Sequence, residues 1–180
     1  ANSEVIKKVK ITGNERVGDE TILVYGDIET NKDYSKSDLN QILKNLYSTN
    51  FFETIDLNIA QGTLNIKIKE YPIINSLELQ GEKVKKIQEG ILKTLQLKEK
   101  SSFIKAYLAQ DIQIIKKIYS TLGFNFVEVD SKIQEFDGNR LNLVFTVEKG
   151  AKTKISKINF IGDRKVKEKR LRGQILEIYL

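Results

Sequence analysis

Apolar residues in this chain change period in a fixed order. Near the start, "VIKKVKITG" alternates at Val9 and Ile11, the mark of a half-buried strand. "GDETILVYG" follows as a short helix with Asp19 in its first turn. In "SKSDLNQILKNLYS", Leu39, Ile42, Leu43, Leu46 and Tyr47 fall on one helical face, and Ser35 with Asp38 forms a capping box. "TIDLNIA" alternates at Ile55, Leu57 and Ile59, and "TLNIKIKE" at Leu64, Ile66 and Ile68, with Gln61-Gly62 as the turn of a hairpin. The predicted order is β-α-α-β-β.

The order then repeats. "SLELQG" reads as a strand, "KVKKIQEGILKTL" as a first helix and "SSFIKAYLAQDIQIIKKIYSTLG" as a longer second one, capped at Ser101 or Ser102. Its stripe runs through Ile104, Leu108, Ile115, Ile118 and Leu122. "FNFVEVDSKIQ" and "RLNLVFTVE" form a second hairpin around Asp137-Gly138-Asn139. Three strand ends share one spelling: "KITGNERV", "LELQGEKV" and "NFIGDRKV". Gly13, Gly81 and Gly162 close these strands at intervals of roughly 70 to 80 residues, a period of small domains in series. The helix ends also correspond. "LYSTNFFETIDL" parallels "IYSTLGFNFVEV", with Asn50 where Gly123 stands, each in the left-handed position that ends a helix. Tyr47 and Tyr119 at these ends read as packing residues.

The fold class is therefore α+β. Units are expected at 1–71, 72–149 and an incomplete 150–180, each complete unit packing two helices on a three-stranded mixed sheet. Pro72, the single proline, falls at the first joint and fixes φ there.

Composition narrows the chemistry. The chain contains neither Cys nor His, which removes disulfides, imidazole or thiolate zinc sites, and His-dependent triads. No run approaches the roughly 18 apolar residues of a membrane-spanning helix. Methionine is also absent, so the sequence is expected to be a processed product or an excised piece whose natural chain continues. The net charge of +6 comes from 30 basic and 24 acidic residues that are interleaved, which reads as solvated faces. No catalytic, cofactor-binding or metal-binding residues are assigned, and no cofactor is expected.

The stretches "KKVKITGNERV", "LYSTNFFETIDL", "TLNIKIKEYPIINSLELQG", "YSTLGFNFVEV" and "LNLVFTVEKGAKTKISKINFIGD" together resemble the POTRA (polypeptide-transport-associated) domains of BamA-type outer-membrane β-barrel assembly proteins. The resemblance covers two domains and the start of a third. It implies a non-enzymatic periplasmic arm ahead of a membrane barrel. The implied partners are unfolded outer-membrane proteins, a periplasmic chaperone and assembly-complex lipoproteins, with no nucleic acid. Other POTRA carriers, two-partner secretion transporters and TamA-like translocators, are the nearest alternatives.

A three-stranded sheet has open edges, and an edge offers unpaired N–H and C=O groups to any extended chain. The first hairpin strand of each unit is the expected edge. The site residues are Thr54, Ile55, Asp56, Leu57, Asn58 and Ile59 in the first unit. In the second they are Phe126, Val127, Glu128, Val129, Asp130 and Ser131. Asp56, Glu128, Asp130 and Lys132 are placed to blunt the same edges. Gly13, Gly81, Gly123, Gly162 and Pro72 are the structural positions. An RNA-binding module would need aromatics on an open face or a Gly-x-x-Gly loop among basic residues. Gly13-Asn-Glu-Arg and Gly81-Glu-Lys-Val lack the second glycine. An enzyme is disfavoured, because adjacent acids such as Asp19 and Glu20 do not face each other across a cleft.

Overall fold

A computed structural model describes residues 4–154. The third strand corner at Gly162, and nearly all of the 150–180 unit, lie outside the described residues.

The first part of the chain contains β1 (Glu4–Ile6), β2 (Lys8–Thr12), α1 (Asp19–Gly26), β3 (Lys32–Tyr34), α2 (Lys36–Ser48), β4 (Phe52–Ala60) and β5 (Thr63–Glu70). The second contains β6 (Ile73–Gln80), α3 (Lys85–Thr94), α4 (Lys105–Thr121), β7 (Glu128–Phe136) and β8 (Arg140–Glu148). Both parts build the same mixed sheet. In the first, β2 runs parallel to β5 and β4 antiparallel to it, giving the order β2-β5-β4. In the second, β6 is parallel and β7 antiparallel to β8, giving β6-β8-β7. The last hairpin strand is therefore the centre of each sheet.

Alternation explains why the layers form. Leu64, Ile66 and Ile68 of β5 are all buried, and with Ile22, Ile42, Leu46 and Phe52 they make one core. Leu141, Leu143, Phe145 and Val147 of β8 do the same with Leu79, Ile91, Ile115 and Tyr119 in a separate core. Phe52 and Ile55 both point inward although three positions apart, because a bulge between Phe52 and Thr54 resets the strand.

The glycine corners have a steric cause. Gly13 takes φ 88°, and a Cβ there would lie 2.1 Å from the Ile68 carbonyl oxygen. Gly81 takes φ 91°, with the Val147 oxygen at 2.0 Å. At both corners the strand end presses against the backbone of the central strand, where no side chain fits. The α2 cap forms as the sequence indicates. Asp38 Oδ2 accepts from the Ser35 N–H at 2.8 Å, and Ser35 Oγ accepts from the Asp38 N–H at 3.3 Å.

Three readings need correction. The opening strand is two strands, split at Lys7, whose N–H turns to the Gly62 carbonyl. Its first piece, β1, pairs antiparallel with β3 in a small sheet outside the simple β-α-α-β-β order. The cap of α4 is Ile104, with no side-chain hydrogen bond, rather than Ser101 or Ser102. Those serines are used elsewhere: Ser101 C=O accepts from the Ile74 N–H, and Ser102 bridges Ile73. Finally, Phe126 and Val127 precede β7 instead of belonging to it. The Gly123 carbonyl is held by the Thr153 N–H and Asn125 by Ser120, so the chain joins the ladder only from Glu128.

Candidate binding edges and the joint between the units

Thr54, Ile55, Asp56, Leu57, Asn58 and Ile59 all lie in β4, which among the described residues pairs with β5 alone. Gln61 (φ 53°) and Gly62 (φ 71°) form a two-residue turn that pairs Ala60 with Thr63. In that register the N–H and C=O of Asn58 and Asp56 face β5, while those of Ile55, Leu57 and Ile59 face outward. One outward donor is already used, since the Ile55 N–H donates to the Tyr47 hydroxyl at 3.0 Å. Among the described residues, the outward N–H groups of Leu57 and Ile59 meet no protein acceptor.

Glu128, Val129, Asp130 and Ser131 lie in β7, which among the described residues pairs with β8 alone. Val129 faces the core and Asp130 the open face. Phe126 is 75% exposed just before the strand, and Val127 is buried.

Each sheet has a second edge, and the two units treat it differently. Along the outer side of β6, the Phe103 N–H donates to Pro72 C=O, and Lys100 N–H to Ile74 C=O. Glu99 accepts from the Leu77 N–H at 3.0 Å, and Gln88 Nε2 donates to Leu79 C=O at 2.6 Å. The 99–103 segment and Gln88 thus occupy that edge and leave β7 as the accessible one. Sequence reading missed this cover, which no periodic pattern marks.

The joint consists of Tyr71 and Pro72 between β5 and β6. On one side, Glu70 is buried and its carboxylate accepts the N–H groups of Glu15 (2.8 Å), Arg16 (3.0 Å) and Val17 (2.9 Å). A usable signal existed: Glu70 continues the inward phase of Leu64, Ile66 and Ile68, and an acid at an inward position needs donors. On the other side, a groove of about 380 Å³ opens between the units. Glu53 and Lys69, which form an ion pair at 2.6 Å, wall one flank, and Phe103, Ile133 and Phe136 the other.

In the second unit the acid after the glycine corner, Glu82, is buried. Burial pushes its carboxyl up. The Val84 N–H, the Tyr119 hydroxyl and Lys149 outweigh that and hold it below the usual range. The described residues contain no group of three or more acids that could hold a metal ion.

Residues 72–150 match the family model POTRA, described as a surface antigen variable number repeat. The chain is 27% identical over 173 residues to the outer membrane protein assembly factor BamA of Neisseria meningitidis serogroup B, covering 94% of this chain and 22% of that protein. It is 25% identical over 161 residues to the protein of the same name from Neorickettsia risticii, covering 89% and 22%. The chain thus spans about a fifth of the length of these relatives. Among solved structures, the N-terminal domain of Omp85 from Thermosynechococcus elongatus aligns with a TM-score of 0.52 at 13% identity, over 99% of this chain and 86% of that one, a likeness of fold. With the doubled mixed-sheet architecture, residues 72–150 thus match a POTRA domain, and the chain as a whole is similar in sequence to part of BamA and in fold to the N-terminal domain of Omp85.

Proposed function

We propose that this chain is part of the periplasmic arm of an outer-membrane β-barrel assembly protein, and that it holds extended clients or partners at β4 and β7. The units are 1–71, 72–149 and the start of a third at 150–180. Clients are unfolded outer-membrane proteins, and a periplasmic chaperone and assembly lipoproteins are the protein partners. The arm works by binding and placing chains rather than by catalysis, and a barrel belongs to the rest of the protein.

The observation that carries this reading is the outward pair of N–H groups at Leu57 and Ile59 on a strand with one neighbour. Backbone pairing reads shape rather than side chains, which suits clients that share β-structure but not sequence. The alternating side chains of such a client meet a surface with both polar and apolar positions, as along β7.

The test is a titration of the 15N-labelled chain with a peptide copying the last strand of an outer-membrane barrel. Shifts gathered on 54–60 or 128–136 are the expected result. A silent peptide, with compact and salt-resistant shifts on adding single-stranded RNA, overturns the reading.

A further inference from the structure

The corner "GNERV" carries an arginine that the second corner, "GEKV", lacks. Arg16 does more than serve the fold of its own unit. Its guanidinium leaves the first sheet and reaches the β7–β8 turn of the next unit. Nη1 donates to the carbonyls of Asn139 at 2.8 Å and Gly138 at 3.1 Å. Nη2 donates to Tyr71 C=O at 2.7 Å, in the connection itself. Nε stands 3.6 Å from the Glu70 carboxylate.

The receiving side is equally specific. Asn139 sits at φ 54°, a left-handed position that turns its carbonyl and its side chain toward the joint. Its carbonyl takes both Arg16 and the Ile73 N–H, and its Nδ2 returns a bond to Glu70 C=O at 3.1 Å. Glu70 ties the halves together. Its carboxylate fixes the backbone from which Arg16 projects, and its carbonyl receives Asn139.

We infer that Arg16, Glu70 and Asn139 form a latch that locks the first two units into one rigid body. Two connecting residues alone leave a joint free to swing, and relative motion is the default for small contacts between domains. Three carbonyls from both sides, held by one planar fork, oppose that motion. The backbone that carries the fork is already held by three N–H bonds to Glu70, and Nε pairs with the same carboxylate, so less freedom remains to be lost. The second unit supplies an internal comparison. It folds an equivalent corner with Glu82 turned inward to Tyr119 and no arginine, so the corner does not require one. The latch therefore acts between units, and it preforms the groove that Pro72, Phe103 and Phe136 line. This holds whatever the edges bind.

The test is residual dipolar couplings on the whole 180-residue chain in dilute alignment medium. One alignment tensor is expected to fit 8–70 and 73–148 together. In Arg16→Ala the two ranges are expected to need separate tensors, while amide shifts at Ile66 and Leu143 stay in place. Arg16→Lys keeps the charge, loses the fork, and is expected to loosen the joint as well. Should Arg16→Ala disturb its own corner, seen as movement at Ile66, Arg16→Lys decides in the same way. It keeps a long cationic side chain and the backbone bonds to Glu70, and removes the fork that holds the three carbonyls. A native chain that already needs two tensors overturns the latch, as does a single tensor surviving in the deciding variant.

Discussion

The Tyr119 hydroxyl donates to Glu82 Oε2 at 2.8 Å, and both side chains are buried beneath the glycine corner of the second unit. This bond joins the end of α4 to the start of the α3 segment, and it titrates from both sides. Glu82 lies below its usual value near 4.5 in the folded chain, so its contribution is complete above that pH and is lost as pH falls through the folded value. Burial and the Glu82 bond hold the Tyr119 hydroxyl above its usual 10.0, so its contribution is complete below pH 10 and falls as pH rises further. Tyr119→Phe is expected to cost the second unit about 1.5–3 kcal/mol at neutral pH and to remove the alkaline limb. Urea unfolding followed on the resonances of 73–148 across pH reads both.

The two glycine corners make a matched pair with a built-in control. Gly13→Ala and Gly81→Ala each place a methyl within van der Waals collision of a carbonyl oxygen at a positive φ. Each is expected to destabilise its own unit by about 2–4 kcal/mol. Gly90 lies inside α3, where a methyl added to its Cα would meet open space out to 4 Å, and Gly90→Ala is expected to stabilise by about 0.5–1 kcal/mol. Equal effects from all three in denaturant unfolding contradict the steric account.

Tyr47 occupies a donor on the proposed binding edge. Tyr47→Phe frees the Ile55 N–H and adds a third outward donor to those of Leu57 and Ile59. Peptide affinity at β4 is expected to rise about five-fold, the worth of one net hydrogen bond near 1 kcal/mol. An unchanged affinity by the same NMR titration means that the peptide does not pair along this strand.

Ile59→Pro makes the converse test. Proline removes an outward N–H and no bond to β5, which an edge strand tolerates. Shifts on 54–60 are expected to vanish with the peptide while those on 128–136 remain. Retention of both sets assigns the binding to another surface.

The architecture was legible where local chemistry writes it. Period-two runs such as Leu64, Ile66 and Ile68, the helical stripe of α2, and the Gln61-Gly62 turn each determine their element from neighbours in sequence. The sheet of β1 and β3 was not legible, because three-residue strands are too short to show a period. The cap at Ser101 or Ser102 failed because a contact with β6 claims that segment first. The joint was hidden for a different reason. Arg16 and Asn139 stand 123 positions apart, and each looks like an ordinary polar turn residue. Only the inward phase of Glu70 hinted that this corner needed more than solvent.

The covered β6 edge also limits what the second sheet can build. A strand that adds to β7 finds no second open side across the sheet, because the 99–103 segment already fills it. Copies joined through this sheet end as pairs. Fibre growth requires two adhesive sides, and this sheet presents one, so a surface suited to capturing sticky strands does not by that route seed its own polymerisation.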